Sequence, residues 1–331
     1  MRASMLSLAL ALSACGGAQN EARAPSSADP TPTPAGAGSQ GVRVPFAPQI
    51  TLGTDFGCWL KSNHQVSCWG DLEGKAPKGE LLQISAASFH VCGIKKDQSV
   101  VCWGAHDQAP AGAFAQISTG DEASCGVRPD GQLVCWDAKG RTQYSQDLID
   151  KCSGEVGDCE GASVLGMRLV SRRPSGTFKR VAVGGRHACA LTPDGSAKCW
   201  APAESDEDES AGGEIDDVAL PAGKYSEVTA GFMHTCGILE GSGAAGTVVC
   251  AGGVEGQSKP GANTAKSIAA GVILSCSLGL DGQAACWGGD GATPPSGKKF
   301  VALAVGLRLA CGLPAGGDPV CWGETDSSAA P

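Results

Sequence analysis

Seven aliphatic residues, Ile50, Ile84, Ile117, Val181, Val228, Ile268 and Leu303, each stand eight positions before a cysteine. Those cysteines open seven pairs: Cys58/Cys68, Cys92/Cys102, Cys125/Cys135, Cys189/Cys199, Cys236/Cys250, Cys276/Cys286 and Cys311/Cys321. Six pairs are ten residues apart and the fifth is fourteen. Glycine stands five positions before the first cysteine in six repeats, with Ala87 in the other. Tryptophan follows the second cysteine in six of the seven, with Ala251 in the fifth repeat. Eleven positions before the first cysteine, four repeats carry Phe114, Phe178, Tyr225 or Phe300. Short apolar runs recurring in this register predict one β unit copied seven times. Each unit reads as a strand around the aliphatic residue, a bend at glycine, a strand through the first cysteine, a turn, and a strand ending at tryptophan.

The turn follows by counting. Pairing Cys189 with Cys199 sets Leu191 opposite Ala197 and Thr192 opposite Ser196, leaving Pro193-Asp194-Gly195 as the loop. Proline first and glycine last suit a type I turn closed by a left-handed residue. The same count gives loops at Pro129-Asp130-Gly131, Leu280-Asp281-Gly282 and Ala315-Gly316-Gly317. If the closing pair is hydrogen-bonded, the cysteine pair three steps on is not. Such sites hold Cα atoms about 4.5 Å apart, within reach of a disulfide. Seven intra-hairpin disulfides are therefore expected. Four added residues lengthen the fifth hairpin without changing which face its cysteines occupy. Zinc binding by these pairs is disfavoured, because CxxC spacing is absent.

Three strands and a proline-bearing return, as in GKAPKGELLQI, make one small blade, and seven blades close a ring. RHACALTPDGSAKCW and FHVCGIKKDQSVVCWG show the unit most fully. This unit resembles the regulator-of-chromosome-condensation type propeller repeat in a short, cysteine-paired bacterial form, over about residues 45–323. The resemblance implies an all-β, seven-bladed β-propeller that recognises protein through loops at one face. The segment GVRVPFAPQ is expected to close the ring beside the last repeat. Insertions of about 137–177 and 201–224 leave from the same point of consecutive blades. The first carries Cys152 and Cys159, expected to form an eighth disulfide, together with Arg168, Arg172 and Arg173. The second carries the acidic run Glu204-Ser205-Asp206-Glu207-Asp208-Glu209 and reads as a solvated loop, since it lacks the glycine turn of a calcium site.

Composition adds the compartment. Seventeen cysteines in 331 residues suit an oxidising environment. A net charge of −9 argues against a basic face for nucleic acid or an anionic membrane. MRASMLSLALALSAC carries Arg2, an apolar run from Met5 to Leu12, and Leu12-Ser13-Ala14-Cys15. It resembles a bacterial lipoprotein signal. That resemblance implies a signal peptide at 1–14, and Cys15 as an acylated (palmitate-bearing) N-terminus followed by a Gly/Pro/Ser-rich tether at 15–44. Residue 16 is glycine and not aspartate, which points to the outer membrane. Residues 324–331 read as a disordered tail.

Catalytic chemistry is poorly represented. G-x-S-x-G, HExxH and Walker motifs are absent, so no catalytic residue, cofactor or metal ligand is assigned. His90, His187 and His234 recur two residues before a first cysteine, a repeat position suited to packing. His187 and His234 lie in adjacent blades and form the one residual site, compatible with a metal-dependent, lyase-like propeller enzyme. The tryptophans, Trp59 among them, suit blade packing better than a glycan-binding surface. The expected function is therefore a monomeric, lipid-anchored scaffold for an envelope or extracellular protein.

Overall fold

The structure of the protein is a computed structural model describing residues 49–153, 163–202, 218–241, 243, 245–253, 256–260, 264–289 and 293–323. Its strands build seven antiparallel sheets in chain order. Blade one holds β1 (Gln49–Leu52), β2 (Phe56–Leu60) and β3 (Val66–Gly70); blade two holds β4 (Leu81–Ala86), β5 (His90–Lys95) and β6 (Val100–Gly104). Blade three holds β7 (Gln116–Thr119), β8 (Ser124–Val127) and β9 (Leu133–Trp136); blade four holds β10 (Arg180–Val183), β11 (Ala188–Leu191) and β12 (Ala197–Trp200). Blade five comprises β13 (Tyr225–Ala230), β14 (His234–Leu239), β15 (Gly246–Gly252) and a short fourth strand, β16 (Thr264–Ala265). Blade six holds β17 (Ser267–Ala270), β18 (Leu274–Leu278) and β19 (Ala284–Gly288); blade seven holds β20 (Ala302–Val305), β21 (Leu309–Leu313) and β22 (Val320–Gly323). Two short helices, α1 (Gln146–Ser153) and α2 (Val164–Ser171), stand between blades three and four. The fold is a seven-bladed β-propeller.

The hairpin count holds in register. Cys189 lies opposite Cys199 and Leu191 opposite Ala197. In the fifth blade Cys236 lies opposite Cys250 despite the longer loop. All seven expected disulfides are formed, one per blade. Cys58–Cys68, Cys92–Cys102 and Cys125–Cys135 close the first three blades, and Cys189–Cys199 closes the fourth. Cys236–Cys250, Cys276–Cys286 and Cys311–Cys321 close the last three. Their Cα separations are 3.9–4.1 Å. The strands sit slightly closer than about 4.5 Å, the usual spacing of a non-hydrogen-bonded pair. Thr192 N–H donates to Ser196 O at 2.9 Å, placing the cysteines at the non-hydrogen-bonded site as the parity requires.

Gly131, Gly195 and Gly282 close their turns at φ of 87°, 87° and 82°. In blades one and two the corresponding residues are His64 at 66° and Gln98 at 68°, where a side chain crowds the backbone. Gln98→Gly is therefore expected to stabilise the protein by about 0.5–1 kcal/mol, read as a raised denaturation midpoint with unchanged slope. The turn also couples blades. The carbonyls of His64, Gln98, Gly131, Gly195 and Gly282 accept from the N–H of Leu81, Phe114, Phe178, Tyr225 and Phe300. This contact explains the aromatic marker: its residue starts the next blade and is buried against it.

First strands of adjacent blades share no sheet, so side chains satisfy part of their backbone. Gln83 accepts from Ile117 N–H at 3.0 Å and donates to Ile117 O at 2.9 Å; Gln116 does the same to Val181. One residue pair further along, Thr51, Ser85 and Ser118 accept from Ala86, Thr119 and Val183 N–H. Blade seven meets blade one through Ile50, Leu52 and Trp69 against Ala304, Leu309 and Leu313, closing the ring. GVRVPFAPQ falls outside the described residues except for Gln49 in β1, as do Cys15, Cys159, the acidic run and the C-terminal eight residues.

The described residues of the first insertion form two helices and no blade. Asp137, 3% exposed, accepts from the N–H of Lys139 and Arg141, the Arg141 guanidinium and the Tyr144 hydroxyl. Ser163 caps α2 by accepting from Gly166 N–H at 2.9 Å, and Trp200 Nε1 donates to Leu169 O at 3.0 Å. Met167, Leu169 and Val170 are buried. Arg173 donates to Thr142 O and Val170 O, so part of the expected basic group holds the insertion itself together. Cys152, in α1, is disulfide-bonded.

Candidate functional site

The loop from first to second strand brings each blade's glycine position to the axis, at one end of the ring. The chain bends there as the repeat predicts, yet none of Gly53, Gly120, Gly184, Gly231, Gly271 and Gly306 takes a left-handed conformation. Close approach is what selects glycine. A Cβ on Gly184 would lie 2.1 Å from Gly231 O, on Gly231 2.3 Å from Gly271 O, and on Gly271 1.9 Å from Gly306 O. The following residue then bonds across the seam: Gly185, Phe232 and Val272 N–H donate to Gly231, Gly271 and Gly306 O, each at 3.2 Å. Thr54 N–H donates to Ser88 O, and Ser88 N–H to Asp121 Oδ1, both at 3.0 Å.

These loops enclose a central depression of about 90 Å³, lined by all seven blades. Its walls are unequal. Thr54, Ser88 and Asp121 supply one side; Phe232, Val272 and Leu307 supply the other. Leu307 in this lining is 41% exposed, and Phe89 and Met233, next in sequence to the lining residues Ser88 and Phe232, are 62% and 39% exposed. The third strands end at this same face, since Asp71, Ala105 and Gly289 N–H bond to Asp55, Phe89 and Ile273 O. Helix α2 also reaches it, with Gly166 against the Glu122 carbonyl and Ser163 Oγ donating to Glu122 Oε2.

No cysteine lines the depression. The first cysteines lie in the middle strands. Their partners Cys68, Cys102, Cys135, Cys286 and Cys321 lie in β3, β6, β9, β19 and β22, the third strands, as do Cys199 in β12 and Cys250 in β15. Each is bridged within its own blade, so these residues brace the ring and offer no thiolate to a metal or a substrate.

The histidines point away from the depression, into the seams between blades. His90 Nε2 meets Ser124 Oγ at 3.3 Å, His187 Nε2 meets Thr235 Oγ1 at 2.7 Å, and His234 Nε2 meets Ser275 Oγ at 2.6 Å. Each therefore fastens its blade to the next. The rings are 3%, 2% and 0% exposed, so His187 and His234 reach no solvent-facing cavity together. Among the described residues, no three His, Cys, Asp or Glu side chains gather as metal ligands. Six tryptophans, Trp69, Trp103, Trp136, Trp200, Trp287 and Trp322, are buried between strands, leaving only Trp59 half-exposed under Lys61. A glycan surface built from these rings is closed off.

Burial lowers the pKa of His90 to about 3, helped by the charge of His106, and that of His234 to about 4. His187 is also lowered to about 4, by burial and then by the charge of His234. Below pH 6.5 the unfolded chain takes up protons that these folded sites refuse. Stability should thus be flat above pH 6.5 and fall on acidification towards pH 4, by up to about 1.4 kcal/mol per pH unit for each histidine. Denaturation midpoints at pH 7.5, 6 and 5 test this, and His187→Gln should flatten the decline.

Residues missed from sequence alone are the depression walls, which occupy one repeat position, four before the first cysteine: Thr54, Ser88, Asp121, Phe232, Val272 and Leu307. A sharper signal was available for the histidines. Ser124, Thr235 and Ser275 occur directly before the first cysteine only in blades that follow a histidine blade.

Blade four decides the family of the unit. Residues 178–200 match the family model of the regulator of chromosome condensation (RCC1) repeat. That unit is an RCC1-type repeat. The other blades share its register of glycine and paired cysteines, with Ala87 the one departure from glycine. Among solved structures, the chain is similar to the ectodomain of the receptor kinase CR4 from Physcomitrella patens, at 22% identity over 84% of this chain and 72% of that one, with a TM-score of 0.62. The CRINKLY WD40 ectodomain of the receptor kinase ACR4 from Arabidopsis thaliana shows 23% identity over 86% and 98%, with a TM-score of 0.61. Yeast RCC1 (Prp20), in a crystal with Kap60, shows 14% identity over 84% and 80%, with a TM-score of 0.53. These likenesses establish the propeller fold.

Proposed function

We propose that the protein is an exported, lipid-anchored scaffold that binds an envelope or extracellular protein through the mouth of its RCC1-type ring. One observation carries this reading: every blade contributes to one depression, and exposed Leu307 lines it while exposed Phe89 and Met233 directly follow its lining residues Ser88 and Phe232. Exposed apolar groups beside a concavity suit a contact surface. Seven disulfides suit an oxidising compartment, and two fold relatives are receptor ectodomains. The yeast relative is a propeller crystallised with a protein partner. In this reading residues 1–14 are the signal and Cys15 carries the acyl groups. No helix among the described residues is long and apolar enough to cross a membrane.

The double variant Phe89→Asp/Met233→Asp should lose at least ten-fold in capture of its partner from detergent-solubilised envelope. Leu280→Asp, on a turn at the opposite end and 61% exposed, should retain it. Loss with Leu280→Asp and retention with the mouth variant would overturn the reading.

A further inference from the structure

We infer that the mouth takes one lysine side chain projecting from the protein partner, with its stem on the apolar wall and its ammonium on Asp121. The inference rests on the mouth being the recognition surface. Both halves of a lysine have a counterpart there. Phe232, Val272 and Leu307 form a continuous apolar arc over three consecutive blades. Thr54, Ser88 and Asp121 form a polar arc over three others, held together by the backbone bonds from Thr54 to Ser88 and from Ser88 to Asp121 Oδ1.

The polar arc is where a ligand finds acceptors. On the apolar side the carbonyls of Gly231, Gly271 and Gly306 each accept a neighbouring N–H. In the polar arc, Asp121 Oδ1 receives Ser88 N–H, and no ion pair among the described residues engages the Asp121 carboxylate. Thr54 and Ser88, each with a hydroxyl, line the same arc. A carboxylate on a hydroxyl-bearing arc suits the charge and donors of an ammonium. The depression, about 90 Å³, has room for one projecting side chain. A methylene stem laid on apolar side chains with its charged head on a polar partner is the ordinary way lysine buries.

The test uses the mature chain and three capped tripeptides, acetyl-Gly-Xaa-Gly-amide with lysine, norleucine or arginine at the centre, followed by amide shifts of Gly120, Gly271 and Gly306. The lysine peptide should give saturable shifts at these glycines. The norleucine peptide should bind at least ten-fold more weakly, and Asp121→Asn should weaken lysine binding at least ten-fold. Asparagine keeps an acceptor for Ser88 N–H, so the loop stays formed and unchanged shifts elsewhere confirm it. Equal binding of lysine and norleucine, no effect of Asp121→Asn, tighter binding of arginine, or no shift at the mouth each overturns the inference. Envelope capture separates this from the underlying reading. If Asp121→Asn keeps the partner while Phe89→Asp/Met233→Asp loses it, the lysine inference fails and mouth recognition stands. If both variants keep the partner, mouth recognition itself fails.

Discussion

Gly271→Ala should destabilise the ring by about 3 kcal/mol or more, while Gly306→Ala, at the same repeat position one blade on, should be close to neutral. Neither glycine has a positive φ, so backbone conformation is not what separates them. Space is. An added Cβ at Gly271 would stand 1.9 Å from Gly306 O and 2.8 Å from a Val305 methyl. The carbonyl is backbone already bonded to Val272 N–H, and it can retreat only by opening the seam. At Gly306 the nearest atom is Gly53 O at 3.3 Å, then Leu52 Cβ at 3.4 Å, a tight but tolerable fit. Alanine there also restricts the unfolded chain, worth about 0.4–1 kcal/mol in its favour. Guanidinium unfolding with the disulfides intact reads the difference directly. Equal destabilisation by both variants would show that close approach is not the reason for glycine at this position.

Full reduction is expected to abolish the fold. Closing a ten-residue loop contributes roughly 2–3 kcal/mol per bridge in the loop-entropy account. Seven bridges then amount to about 14–21 kcal/mol, more than the roughly 5–15 kcal/mol of net stability usual for a domain. Six of the seven blades have only three short strands, and the first cysteines are themselves core residues, with Cys58, Cys125, Cys189, Cys236, Cys276 and Cys311 fully buried. The single-blade pair Cys189→Ala/Cys199→Ala should cost about 2–3 kcal/mol and leave a folded ring. Circular dichroism and denaturation in the presence and absence of reductant test both. A reduced chain that keeps its sheet signal and cooperative unfolding would contradict this dependence.

The blades were legible because every one repeats the same physical solution. A tight turn midway between two cysteines, with Asp-Gly in blades three, four and six, sets the hairpin, and the hairpin parity sets the disulfide. The insertions were legible as surplus length, and their origin has a signal of its own. Gly70, Gly104, Gly288 and Gly323 follow tryptophan with φ of 70°, 105°, 99° and 111°, a left-handed turn at the end of the third strand. Asp137 and Ala201 stand there in blades three and four, where the insertions depart. That α1 and α2 are helices lay beyond the repeat logic, since nothing in the other blades templates them. The mouth was hidden for a different reason. Its residues share a position but vary in type, from Thr54 to Asp121 to Phe232, so a search for recurring residues passes over them. The seam partners show the same limit: Ser124, Thr235 and Ser275 acquire meaning only when adjacent blades are compared. His187 and His234 stand out as a pair in the sequence, but each bonds a different neighbour in the fold.

Peptide mapping without reduction, on protein isolated from the cell envelope, tests the central claim most directly: an exported propeller in which each blade is closed by its own disulfide. The account predicts seven links joining each first cysteine to the second of the same blade, Cys189 to Cys199 among them, and an acylated Cys15 as the first residue. Free thiols throughout, links between blades, or an intact Met1 would contradict it.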